Sequence, residues 1–428
     1  MKPELAPDAE ASRTAFIESD ESGPPGAAPR PPFTGWTAVE LSDGYGPATL
    51  AGKLLADLGC SVRKIEEPSG DSLRMEAARR GVDLFTLVSG SKVSVVIDTA
   101  HPRADEPLRA ILSNATILIV DQPGWTKLCT VLRCADPHTA LPHLTLCRCS
   151  PFGRTGRMAG WRGGEEIVQA VSGVMSTTGH PHAGPTRVGA QVLTHAAAMF
   201  AVTAIIADAM RSPGCARGRL IDMATFDAAI AFMTAALPYN DLHKAGPIGI
   251  GNRHTMAAPW NSYQCTDGWL ILCAGNDPTW HRLCHAIGRP DLRSDARFDT
   301  QEDRVRNTEA LDMEISRWTR ERSVAESERI LEKNGIPSGP ILAVRDVVTH
   351  PQFIDRSMLR QVNGASITGG VFRRNGETLP VHRATWKIGD GSWHALRQAG
   401  AAVGTIAGWA QDKLIPAQDM GAFGESAA

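Results

Sequence analysis

The sequence predicts an α/β protein whose first hundred-odd ordered residues are Rossmann-like and are followed by a smaller α+β domain. Short apolar runs alternate with amphipathic helical segments from Trp36 to Cys149, and a hairpin pattern with charged helices occupies the stretch from Tyr263 to Lys333. Strands alternating with helices at this spacing imply right-handed crossovers and a mainly parallel sheet covered on both faces.

Residues 1–33 carry acidic clusters and Pro/Gly-rich runs without apolar periodicity, the composition of a disordered or loosely draped arm. Ala38 to Leu41 then reads as a strand, Gly46-Pro47 as a turn, and Ala48 to Leu58 as a helix with Leu50, Leu54, Leu55 and Leu58 on one face. Ser61–Ile65, Val93–Ile97, Thr116–Val120 and Leu144–Cys149 read as further strands, with a helix fragment at Leu108–Leu112. Ala196–Arg211 and Asp222–Ala236 are predicted as helices separated by Ser212-Pro213-Gly214. Tyr263 to Cys273 reads as a hairpin turning at Thr266-Asp267-Gly268, Glu302 to Lys333 as charged helices, Val371 to Thr385 as strand-like, and Ala395 to Lys413 as a last helix.

Lys and Arg number 44 against 46 Asp and Glu, a balance that favours neither nucleic acid nor an anionic membrane surface. The nine cysteines are odd in number and contain no CxxC pair, so they read as reduced thiols. The amino terminus has no basic segment followed by an apolar one, and the longest apolar stretch, Ala196 to Met210, is shorter than the ~20 residues of a membrane span. A soluble, cytoplasmic protein is expected.

Gly44-Tyr45-Gly46-Pro47 lacks the third glycine of a dinucleotide fingerprint, and Pro47 removes a donor that pyrophosphate would use. No Gly-x-Ser-x-Gly elbow, His-Glu-x-x-His site or Walker loop occurs. Ser89 and Lys92 satisfy Ser-x-x-Lys, a pattern expected often by chance, and His180 and His182 sit in a Gly/Pro loop without a third ligand nearby, so no metal is expected. Cys147 and Cys149 alternate along a strand and read as packed small side chains. Glu165 and Glu166 follow Gly163-Gly164 at the start of a helix, where the dipole alone accounts for them and a paired acid and base is the sharper alternative.

Taken in order, Val39-Glu40-Leu41-Ser42, Leu54-Leu55-Ala56-Asp57-Leu58-Gly59, Ile65-Glu66-Glu67-Pro68-Ser69-Gly70-Asp71, Phe152-Gly153-Arg154-Thr155-Gly156, Gln169-Ala170-Val171-Ser172-Gly173, Arg187-Val188-Gly189, Gly251-Asn252-Arg253-His254 and Gly335-Ile336-Pro337 resemble the family III CoA transferases, a superfamily that also contains α-methylacyl-CoA racemases. The resemblance runs from about Trp36 to about Lys413. It implies a large Rossmann-like domain built from both chain ends and a small domain between them, in two chains interlocked like links. The division it suggests is an arm at 1–34, the large domain at 35–200, a helical linker at 201–240, the small domain at 241–345, and a return linker with the rest of the large domain at 346–428.

In transferases of that family an aspartate attacks the donor thioester, and its anhydride and thioester carry the exchange. Counting from Gln169 and from Arg187-Val188-Gly189 places Thr194 at that position, and a threonine could form only an oxygen ester, a poor donor back to a thiol. His195, one residue on, would form an acyl-imidazole that water destroys. The racemase histidine is matched by Gly164, beside the acidic residue matched by Glu165. For CoA, the resemblance implies Tyr45 at the first turn, Ile97 at the adenine-facing strand end, Gln122 where an asparagine is common, Arg162 where a lysine meets the phosphates, and Lys127 after Pro123-Gly124, with Glu67 opposing where some members place an arginine. Three functions follow as expectations. One is the nucleophile-lacking subunit of a CoA transferase that moves CoA between carboxylic acids, paired with an intact paralogue or with itself. The second is a stand-alone CoA-thioester enzyme, and the third a non-catalytic acyl-CoA-binding or scaffold protein.

Overall fold

The computed structural model describes residues 31–81, 83–210, 218–234, 236–238, 249–362, 365–371, 373–374, 376–378 and 387–417. The described residues fall into two compact units, one drawn from 31–172, 189–234 and 357–417 and the other from 173–188 and 236–356.

The first unit is built on a six-stranded sheet of β1 (Thr37–Leu41), β2 (Ser61–Glu66), β3 (Val93–Val96), β4 (Ile117–Val120), β5 (Thr145–Ser150) and β6 (Leu220–Ala224). All pairings are parallel and the order is β3-β2-β1-β4-β5-β6, so the chain reverses its direction of travel between β1 and β4. Strand alternation sends Val39 and Leu41 into one core and Ala38 into the other. The first core is closed by carboxyl-terminal residues, with Leu396, Ile406, Trp409 and Leu414 packed beside Leu108 and Ile111. Val96 N donates to Ser392 Oγ at 2.9 Å, and Gly391 N to Ser94 O at 3.0 Å, which fastens that end of the chain to β3. The opposite face is covered by helices α1 (Pro47–Asp57) and, later in the chain, Val192–Ala209, whose Ala198, Ala201, Val202 and Ile205 lie in the second core. By length and composition this eighteen-residue apolar helix could cross a membrane, but its buried side chains make it a core helix of the unit.

The second unit carries the expected hairpin as β7 (Trp260–Gln264) and β8 (Trp269–Cys273), joined by β9 (Ser338–Pro340) in an antiparallel sheet. Helices over Asp277–Ala286, Thr308–Thr319 and Val324–Lys333 pack Trp280, Leu311 and Leu331 onto it.

Four expectations are corrected. Leu220–Ala224 is the sixth strand rather than helix: Gly218, where a Cβ would lie 1.9 Å from Leu144 O, lets the chain come flush with β5, and the helix starts only at Thr225. The last helix is two, Ser392–Gln398 and Val403–Gln411, parted by Gly400 at φ +86°. Residues 173–188 fall in the second unit because Gly249 N and Gly251 N donate to Ser176 O and Gly179 O. The arm expected through residue 34 is packed at its end, with Phe33 buried edge-to-face on Trp36; residues 1–30 and the turn Ser212-Pro213-Gly214 lie outside the described residues. Within the strand-like stretch, Arg373–Arg374 pairs with Glu377–Thr378. Among the described residues eight cysteines are free thiols.

One ion cluster lies inside the first unit. Glu40 on β1 is fully buried and meets Lys64 Nζ at 2.9 Å and Lys92 Nζ at 2.8 Å, while Lys64 also meets Asp71 at 2.9 Å. Burial would pull Lys64 down, but Glu40 and Asp71 outweigh it and hold the ammonium above the ordinary lysine range. For Lys92 burial wins, and its pKa falls to about 8. Between about 8 and the unfolded value, roughly 10.4, the unfolded chain holds a proton that the native protein has released. Stability contributed by this side chain therefore rises with pH through that window. Lys92→Met leaves the carboxylates of Glu40 and Asp71 facing Lys64 alone, at an expected cost of about 3–5 kcal/mol near neutral pH. Urea unfolding of the two proteins would show that deficit widening as the pH rises above about 8.

Candidate functional site

The first turn of the long helix gathers the reactive side chains. That helix, α4 (Val192–Ala209), follows α2 (Ser72–Arg80) and α3 (Glu165–Val171) in the chain. A helix begins with backbone N–H groups that have no partner within it. Here they are met by Glu165, from the first turn of α3. Its Oε1 accepts from Leu193 N at 3.0 Å and from Gln169 Nε2 at 2.8 Å, and its Oε2 accepts from Thr194 N and Thr194 Oγ1, both at 2.6 Å. Burial opposes the charge, but these bonds outweigh it and hold the carboxyl below the usual glutamate range. Glu165 is thus an ionised cap of a neighbouring helix with both oxygens engaged. Such a carboxylate is a poor general acid and has no idle oxygen for covalent work.

His195 follows Thr194 on the exposed side of the same turn. Its Nδ1 lies 2.8 Å from the carbonyl oxygen of Gln191, and its Nε2 lies 3.4 Å from the hydroxyl of Tyr45. The two rings are 6.1 Å apart at 60°. Burial, and then the charge of Glu165, push the Tyr45 phenol up, so it stays a donor. Tyr45 is held there by the turn before α1: Gly44 takes φ +74°, its N–H donates to the Asp71 carboxylate at 3.2 Å, and its carbonyl accepts from Thr49 Oγ1 at 2.8 Å. Asp71 also caps α2 through Leu73 N at 2.8 Å.

A cavity of about 150 Å³ opens at the carboxyl ends of the strands, where β1 and β4 diverge. Ligands of open α/β sheets bind at such switch points. Asp43, Glu67, Asp71, Asp121 and Lys127 line it. Lys127 is engaged with Glu67 at 2.6 Å, and Glu67 also accepts from Thr99 Oγ1 at 2.5 Å. Burial raises the Glu67 carboxyl, but Lys127 and Thr99 outweigh it and hold it below its usual range.

The structure thus brings Thr194, His195, Glu165 and Tyr45 together and puts Lys127 in the switch-point cavity. Gln122 sits at the start of the helix after β4 and donates to Gly160 O at 3.2 Å, while Arg162 is exposed on the coil before α3. Ile97, just beyond the end of β3, has its side chain buried among Leu108 and Leu112. Gln191 and Asp71 were not singled out from sequence as site residues; Asp71 carried a signal, an aspartate directly before a helical run, whereas Gln191 acts through its backbone.

Residues 34–391 match, as a family, CoA-transferase family III. The chain belongs to that family. Its relatives include an acetyl-CoA:oxalate CoA-transferase of Acetobacter aceti, 32% identical over 88% of this chain and 97% of that protein. A succinate–glutarate CoA-transferase of Agrobacterium fabrum is 30% identical over 79% of this chain and 88% of its own length. Among solved structures, a CAIB/BAIF family protein from Brucella suis superimposes with a TM-score of 0.77 at 26% identity, covering 86% of this chain and 98% of that one.

In this family III chain, Glu165→Gln keeps the shape of the cap but replaces one acceptor oxygen by an amide that cannot accept from α4. The expected loss is about 1–3 kcal/mol of unfolding free energy. Because the folded carboxyl titrates below its unfolded value, that loss is full above the ordinary glutamate pKa of about 4.3 and closes as the pH falls through the folded one. Thermal unfolding of both proteins across that acid range is the check.

Proposed function

We propose that this chain is the nucleophile-lacking subunit of a CoA transferase that moves CoA between carboxylic acids, completed by a paralogous chain that supplies the aspartate. The observation that carries the reading is the bond from Thr194 Oγ1 to Glu165 Oε2 at 2.6 Å. The hydroxyl at the position matched to the family nucleophile is committed to a carboxylate, and an ester formed on it would not return its acyl group readily to a thiol. The same bond set speaks against a stand-alone enzyme working through Glu165, because four donors occupy that carboxylate.

The substrates proposed are CoA thioesters and free acids of the dicarboxylic kind, as named for the relatives from Acetobacter aceti and Agrobacterium fabrum. The switch-point cavity is where the CoA nucleotide would enter the first unit. An interlocked pair of unequal chains is the proposed assembly.

CoA transfer measured with succinyl-CoA or acetyl-CoA as donor and oxalate or glutarate as acceptor tests this. The purified chain alone is expected to transfer no CoA, and activity is expected when a family chain carrying the aspartate is co-expressed with it. Transfer by the isolated wild-type chain would overturn the reading. Thr194→Asp sets a second carboxylate against Glu165, so the new group is expected to titrate above the ordinary aspartate range, and the variant to transfer CoA only feebly on its own.

A further inference from the structure

Beside Thr194, the first turn of α4 carries a second reactive group, the exposed imidazole of His195. A carbonyl oxygen only accepts, so the 2.8 Å contact with Gln191 O places the proton of the neutral His195 ring on Nδ1. The lone pair then sits on Nε2, on the exposed side of the turn, with Tyr45 Oη at 3.4 Å. That distance is long for a hydroxyl donor, so both the lone pair and the phenol proton are weakly held and free to take other partners. Tyr45 itself is fixed through Gly44 to the buried Asp71–Lys64 pair, and His195 through its own helix, so neither group has to be ordered when a substrate arrives.

We propose that Tyr45 and His195 form a water-activating pair and that this chain hydrolyses acyl-CoA thioesters. The proposal rests on the reading that the chain binds acyl-CoA. A water oxygen bonds to the thioester carbonyl carbon as Nε2 of His195 accepts the water proton, and the carbonyl π pair moves onto oxygen, where the Tyr45 hydroxyl donates to it. Collapse restores the C=O bond and breaks the C–S bond, whose electron pair leaves on sulfur; Nε2 returns the proton to the sulfur. The products are the free acid and the CoA thiol, and water is the one co-reactant. Attack by His195 itself would reach the same products through an acyl-imidazole. With Thr194 tied to Glu165, no acyl-enzyme of the transferase kind competes for the acyl group.

The test uses the full-length protein with acetyl-CoA, following thiol release with a chromogenic disulfide and CoA binding by calorimetry. His195 is exposed, so His195→Gln is expected to fold, to bind CoA as the wild type does, and to release thiol roughly 100-fold more slowly. Tyr45→Phe is expected to give a smaller loss in kcat with binding retained. A wild-type chain that binds CoA but releases no thiol above buffer would overturn the pair and leave the CoA-binding reading standing, as would a His195→Gln variant with wild-type rate. A chain that binds no CoA would bring down both.

Discussion

The buried ion cluster around Glu40 is the constraint on which the carboxyl ends of the strands depend. Glu40 sits on β1, the central strand beside the switch point, and its two oxygens hold Lys64 from β2 and Lys92 from the turn before β3. Buried charges cost desolvation that mutual attraction seldom more than repays, so such a cluster is poor evidence of stability and good evidence of fixed geometry. The chain bears that cost in detail. Two carboxylates, Glu40 and Asp71, balance two ammoniums, and Lys64 and Lys92 place further donors on Ser42 O and Thr49 O. Helix α1 passes so close that a Cβ at Gly52 would lie 2.0 Å from Glu40 Oε2, so any larger residue there would have to push the buried carboxylate aside. Asp71 then carries the geometry outward to Gly44, and so to Tyr45. A second buried carboxylate, Glu66, binds Arg74 at 2.7 Å and Ser94 at 2.6 Å, and Ser94 Oγ accepts from Gly389 N at 2.8 Å, which ties the returning carboxyl-terminal segment to the same strand ends.

Much of this frame was legible because its signals are local. Short strand-like segments between helical stretches placed β1 to β5 to within a residue or two, although β2 carries Arg63, Lys64 and Glu66 among its six residues. β6 escaped because Leu220-Ile221-Asp222-Met223-Ala224 runs without a turn residue into an alanine-rich helix, and strand character there comes from pairing with β5. The segment 173–188 escaped for a related reason: backbone bonds from Gly249 and Gly251, far along the chain, draw it into the second unit.

The site divides in the same way. Thr194, His195 and Glu165 could be named from motif order, and the helix dipole explained a carboxylate at the start of a helix. What no spacing discloses is that Glu165 caps a different helix 28 and 29 residues on, at Leu193 and Thr194. Nor does spacing reveal that Tyr45, 150 residues before His195, comes within 3.4 Å of its ring. Both are products of tertiary packing, and they change the chemistry of residues whose identities were plain.

Glu165 settles what kind of chemistry the cluster can host. A carboxylate that satisfies two helix N–H groups, an amide and a hydroxyl is worth most where it is, because withdrawing it would strand four donors in a buried turn. The hydroxyl it holds is buried, and an ester formed on it would be a poor donor back to a thiol, so covalent capture of an acyl group for CoA exchange has no good agent on this turn. Proton transfer does. Nε2 of His195 carries a lone pair beside a protonated phenol, and the backbone carbonyl of Gln191 fixes which nitrogen carries it. On the proposed reading, the turn that holds Thr194 and His195 serves water rather than a thiol as the acyl acceptor.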